Sequence, residues 1–226
     1  MKKGIVLCLA LAGVMVSHAQ IRVGLYGSAS LSKSSFTKEE GVVTTTKPVY
    51  APAAGLILDI PLSAEFSIRP SLGFIRKGVK AKAIASEMGI IGSIKSDVKM
   101  NYAEFPVLFT YKKQLGSTTF LIGAGPSAGV GLGGKVKTES FIDGIPEPFF
   151  SYEENPFKKS DHIEQPFKRF EFSGAGMLGV ELKNGLFFSA NYLHGFTNIS
   201  GDAPDYKFRN RTVSVGIGYF FGTRKG

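Results

Sequence analysis

The chain has 226 residues, 43% of them hydrophobic, with 28 Gly, 19 Phe, 8 Tyr, no Trp, one Cys and a formal charge of +9. The one cysteine, Cys8, lies inside an apolar leader, so the rest of the chain excludes disulfides, thiolate metal sites and thiol nucleophiles. The basic residues are scattered, without a stripe of interleaved aromatics, which argues against nucleic-acid binding.

The leader comes first. Lys2 and Lys3 precede an apolar run from Ile5 to Val16, and Ser17-His18-Ala19 then puts small residues where a signal peptidase reads them. Residues 1–19 are therefore expected to be a cleaved signal peptide, with Gln20 as the new N-terminus and 20–226 as one domain. The run is too short to cross a bilayer as a helix, which takes about 20 residues, and nothing after it approaches such a span.

The remaining chain shows period 2. In the first segment Ile21, Val23, Leu25, Ala29 and Leu31 oppose Arg22, Gly24, Tyr26, Ser28 and Ser30. Noisier strands follow near 49–60, 64–79 and 98–111. The fifth sets Phe120, Ile122, Val130 and Leu132 against glycine and serine, and the sixth sets Phe170, Phe172 and Leu178 against Glu171, Ser173 and Glu181. Leu186, Phe188, Ala190 and Tyr192 carry the seventh, and Val213, Val215, Ile217, Tyr219 and Phe221 carry the eighth. The connections alternate long (33–48, 80–97, 134–165, 197–207) and short (61–63, 113–117, 183–185). Asn184-Gly185 is a tight-hairpin dipeptide.

A soluble barrel points its large apolar residues inward. Here the faces opposite the apolar band are too rich in glycine and serine to fill a hydrophobic core. The expected fold is all-β: an eight-stranded antiparallel up-and-down transmembrane β-barrel in the bacterial outer membrane. Long loops are expected outside the cell, and short turns and both termini on the periplasmic side.

Residues 102–111 (Tyr-Ala-Glu-Phe-Pro-Val-Leu-Phe-Thr-Tyr) and 123–129 (Gly-Ala-Gly-Pro-Ser-Ala-Gly) resemble two consecutive strands of the PorT-like outer-membrane β-barrel family of Gram-negative bacteria. Lys77-Gly78 and Tyr192 to Asn198 are similar to its weaker patterns. The resemblance implies a non-enzymatic outer-membrane protein with a structural or interaction role, some relatives being linked to secretion. It implies no cofactor. The partners would be outer-membrane lipid and other envelope or secretion proteins.

Alternation places Glu104 in the lumen, where a carboxylate must be paired. Arg69, inward on the neighbouring strand, is the expected partner. Pro106, without a donor, suggests a bulge or local kink. Two histidines remain, His162 in the longest loop and His194 on the lipid-side register, and neither has metal or catalytic spacing. No catalytic, cofactor or metal residue is expected. A narrow passive channel is the alternative function, and a barrel enzyme acting on lipid or peptide is a lesser one. Loop 134–165 is rich in aromatics and prolines. Phe141, Phe149, Phe150, Tyr152 and Phe157 are its candidate interaction surface, expected to fold partly over the mouth.

Overall fold

The computed structural model describes residues 21–36, 42–87, 90–201 and 206–222. The leader call, 1–19, lies outside them. Among the described residues there are nine strands: β1 (Arg22–Phe36), β2 (Val43–Pro61), β3 (Phe66–Glu87), β4 (Ile90–Leu115), β5 (Thr118–Ile142), β6 (Ile145–Glu154), β7 (Phe170–Leu182), β8 (Leu186–Gly195) and β9 (Phe208–Phe221). Every pairing is antiparallel. β1 pairs with β9 and β4 with β5, so eight strands close into a ring, while β6 adds to β5 outside it. Closure leaves no unpaired edge, the condition for crossing lipid with strands.

The faces are those the alternation demands. Leu25, Phe74, Phe109, Ile122, Leu178, Val215 and Ile217 are exposed on the outer wall. Arg22, Ser32, Asp59, Arg69, Lys77, Glu104, Glu171, Glu181 and Asn210 are buried inside. This is the inverse of a soluble protein, and only a hydrocarbon solvent makes the outer wall favourable.

The long connections are shorter than the alternation suggested. β3 runs to Glu87 and β4 starts at Ile90, so most of 80–97 is strand; 33–48 shortens in the same way. Within 134–165, residues 134–142 continue β5, and 145–154 return as β6. The turn between them is Asp143-Gly144, with φ of 48° and 81°. Positive φ at both central residues is the two-residue hairpin turn that an Asp-Gly pair favours. In the 183–185 turn only Gly185 takes positive φ, 89°.

A transmembrane strand needs about 9–11 residues. β4 has 26 and β5 has 25, whereas β8 has 10. The sheet of β2–β6 therefore projects well beyond the apolar band on one side of the ring. Pro106 makes no bulge. The register with β3 is the same on both sides of it, Pro70 facing Val107 and Gly73 facing Glu104. The shift in β4–β5 falls instead at Asn101/Tyr102.

Candidate functional site

Starting from the short-turn end, the lumen holds a closed ring of charges. Arg22 on β1 donates to Asp59 Oδ2 at 2.6 Å and to Glu181 Oε1. Arg69 on β3 donates from Nε to Asp59 Oδ1 at 2.8 Å and from Nη2 to Glu181 Oε2 at 2.9 Å. Two planar forks and two carboxylates alternate, each carboxylate using both oxygens. Asp59 is on β2 and Glu181 on β7, on opposite sides of the barrel, so the ring spans the lumen. Lys112 Nζ stands 3.9 Å from Asp59 Oδ2. Phe220, fully buried, lies under both guanidinium groups, with its ring centroid 4.6 Å from Arg22 Cζ and 5.1 Å from Arg69 Cζ.

Above the ring Leu108 and Met177, which pack with Leu121 in one apolar cluster, border a cavity of about 90 Å³. A second charged cluster then crosses the lumen. Lys77 Nζ on β3 stands 2.7 Å from Glu104 Oε2, an ion contact with poor hydrogen-bond geometry, and donates to Glu171 Oε2 on β7 at 3.3 Å. Ser127 donates to Glu104 Oε1 at 2.6 Å, Asn210 donates to Glu171 Oε2 at 3.0 Å, and Ser34 donates to Asn210 at 2.7 Å. The lower cluster has three cationic and two anionic side chains, the upper one cationic and two anionic. The two imbalances cancel across the lumen.

Arg69 and Glu104 are both lumenal, but they do not pair. Arg69 sits beside the carboxylates of β2 and β7, and Glu104 is served by Lys77 and Ser127. The correction is one of height. Arg69 stands opposite Leu108 in the β3–β4 register, while Glu104 stands opposite Gly73, so the two are four residues apart along the strands. Lys77 looks four residues the other way, yet its long stem reaches down and closes that gap. The glycines of β5 leave no free space either. A Cβ on Gly129 would meet Glu104 Oε2 at 2.7 Å, and one on Gly131 would meet the Phe157 ring.

At the mouth, residues 155–169 turn inward from the end of β6. Phe157 is 6% exposed and meets Tyr102 edge-on at 5.8 Å. Arg169 stacks 5.2 Å from the Phe157 ring and donates to Gly131 O. Ile199, Phe167 and Phe208 pack into the same cluster with Val79, Val98, Met100 and Val136. Above it the projecting strands form a cup of about 460 Å³, lined by Val79, Val98, Val136 and Ile94 and closed on one side by Tyr152, His162 and Phe167. It runs into a second groove of about 590 Å³ that shares Ile94, Thr138 and Tyr152.

The candidate surface residues therefore divide. Phe157 faces the lumen and Tyr152 lines the cup, while Phe141 lies on β5 under Lys95, whose Nζ is 4.2 Å from its ring. Phe149 and Phe150 fall within β6, and their side chains lie outside the described ones. His162 stacks on Tyr152 at 4.7 Å and shares Glu154 with Ser160, its Nδ1 being 2.9 Å from Glu154 Oε1. In this arrangement the serine hydroxyl and the imidazole each bond the Glu154 carboxylate. His194 stays on the outer wall beside Tyr192 and Phe196. Among the described residues no group of three or more His, Cys, Asp or Glu is placed to hold a metal ion.

A closed ring of strands, an apolar exterior and a charged interior define an outer-membrane β-barrel. The family described as "Outer membrane protein beta-barrel domain" matches residues 17–201, and the chain belongs to that family and to the bacterial outer membrane. No curated protein matches the chain. Among solved structures it is similar to Ail of Yersinia pestis in complex with the heparin analogue sucrose octasulfate (14% identity, 89% of this chain and 99% of that one, TM-score 0.40). It is also similar to OprG of Pseudomonas aeruginosa (13%, 91% and 97%, TM-score 0.46) and to Neisserial surface protein A (9%, 87% and 96%, TM-score 0.42).

Proposed function

We propose that the protein is a non-enzymatic, non-conducting barrel that works as an interaction platform through its long-hairpin end. The observation that carries this is the Arg22–Asp59–Arg69–Glu181 ring spanning the lumen. An eight-stranded barrel has an interior just wide enough for side chains, and here two charged layers with an apolar layer between them occupy it. The projecting sheet, the cup and the Phe157 segment then form the part that meets a partner. In this reading the long hairpins face the cell exterior and the short turns the periplasm, as in barrels with this alternation of connections.

The resemblance of 102–111 and 123–129 to the PorT-like family favours, among interaction roles, one beside envelope secretion proteins. Planar-bilayer recording tests the closed lumen: the wild-type protein gives no unitary current steps, and Arg69→Ala with Arg22→Ala introduces them. Discrete steps from the wild-type protein would return the narrow channel to first place. Crosslinking in intact outer membranes followed by pull-down tests the partner, and protease shaving of intact cells tests the orientation, with cleavage expected within 155–169 and none at 183–185.

A further inference from the structure

The outer wall above the apolar band carries like-charged residues directly opposite one another across paired strands. Lys33 on β1 faces Arg211 on β9. At the opposite side of the ring, Lys99 on β4 faces Lys135 on β5. Lys47 faces Lys80 between β2 and β3, and Lys82 faces Lys95 between β3 and β4. Directly opposed like charges destabilise a sheet, and the arrangement recurs at four places at one end of the barrel. Some of this charge is met locally: Asp97 lies 2.8 Å from Lys99 and 3.7 Å from Lys80, and Glu153 lies 2.6 Å from Lys135. Lys33 and Arg211 have no such carboxylate among the described residues, and both are exposed.

Their height is informative. Lys33 is two residues beyond Leu31, and Arg211 two before Val213, on the same outward face as those lipid-wall residues. Lys135 follows Leu132 by three. A side chain so placed lies at the headgroup level of a bilayer, where Lys and Arg extend their charge past the apolar edge.

We propose that the two opposed pairs at this height, Lys33–Arg211 first and Lys99–Lys135 with it, cradle phosphate groups of anionic lipid headgroups in the leaflet at the long-hairpin rim. A phosphate between two cations turns cross-strand repulsion into two charge-assisted contacts. The identity of that leaflet as the outer one rests on the orientation proposed above; the phosphate recognition does not. The occupant is a membrane lipid because the pairs continue the lipid wall, whereas a soluble polyanion would be met at the hairpin tips.

The test uses the full-length protein in zwitterionic detergent, titrated with bisphosphorylated lipid A and followed by native mass spectrometry. Lys33→Gln with Arg211→Gln weakens lipid A binding roughly thirtyfold, from the interaction typical of each basic residue at an anionic surface. Lys113→Gln, exposed at the short-turn rim, changes nothing. Without lipid the double variant unfolds at the same or a higher temperature than wild type, which separates lost binding from lost fold. Dephosphorylated lipid A binding as tightly as the parent overturns the proposal. So does inositol hexakisphosphate binding as tightly as lipid A, which would make the surface one for soluble polyanions. Binding unchanged in the double variant also overturns it. Each of these results stands whichever way the barrel is turned in cells, so a failed shaving experiment would revise the leaflet and leave the phosphate site intact.

Discussion

The membrane-spanning part and the projecting part are built from the same strands and obey opposite rules. In the first, charge is inside, buried and ion-paired, and the outer wall is aliphatic. In the second, above Lys77, the inner wall turns to Val79, Val98 and Val136 while lysines line the outside. Along β3 and β4 the pleat keeps its phase between them, so there the solvent alone has changed, while β2 and β5 each slip by one residue at their register shifts. β3 shows the switch along one strand: outward Leu72 and Phe74 give way to Lys80 and Lys82, and inward Arg69 and Lys77 give way to Val79.

The sharpest test of this contrast is electrostatic. Glu181→Ala leaves Arg22 and Arg69 each one partner short in a buried ring, and about 3–5 kcal/mol is the usual cost of breaking a buried pair. Unfolding in detergent or vesicles checks it. Lys80→Ala, in an ion pair half open to solvent, should cost under about 1 kcal/mol. Comparable losses would show that the two regions do not differ in dielectric environment.

An outer-wall pair comes next. Val215→Arg, in the lipid band, should cost about 2–4 kcal/mol, whereas Val43→Arg, 68% exposed on the projecting part of β2, should be nearly neutral. Equal damage at both sites would move the membrane boundary up to the hairpin tips.

Phe157→Ala acts at the junction. Removal of a buried Phe costs about 3 kcal/mol or more where it packs a core, but here the loss falls on 155–169 alone. Proteolysis within that segment should rise by an order of magnitude or more while the barrel's unfolding midpoint stays put. A falling midpoint would make the segment part of the barrel core.

The smallest effect is a pH response. The hydrogen bond from Lys137 holds the Glu139 carboxyl below its ordinary value. A lowered carboxylate stabilises the fold above the ordinary carboxylate range and loses that contribution as pH falls through the lowered value. Both side chains are about half open to solvent, so Glu139→Gln should leave the acid side of the stability curve unchanged within error.

How much of this was legible beforehand follows from the same contrast. Where lipid is the solvent, the apolar period-2 face marks the strand, and β1, β5, β7, β8 and β9 could be located from it. Where water bathes the outer wall, Lys-Ala-Lys and Thr-Thr-Thr runs alternate without contrast, and the upper halves of β2, β3 and β4 look like loops. β6 had one signal, Asp143-Gly144, that was available and missed. The lumenal partners were harder. Glu104 and Arg69 were correctly sent inward by parity, but parity says nothing of height. Reading the pairing required the register and the length of the Lys77 stem. Glu181 and Asp59 come from strands on opposite sides of the ring, and no local spacing joins them.

The lower ring also bears on the completeness of the barrel. Arg22, Asp59, Arg69 and Lys112 come from β1 to β4, whereas Glu181 comes from β7, the sixth of the eight ring strands in chain order. Without it one carboxylate would face three cations in a narrow space. An incomplete barrel therefore carries a built-in electrostatic penalty that its last third relieves. The closed ring is thereby favoured over a truncated one by five side chains drawn from five strands.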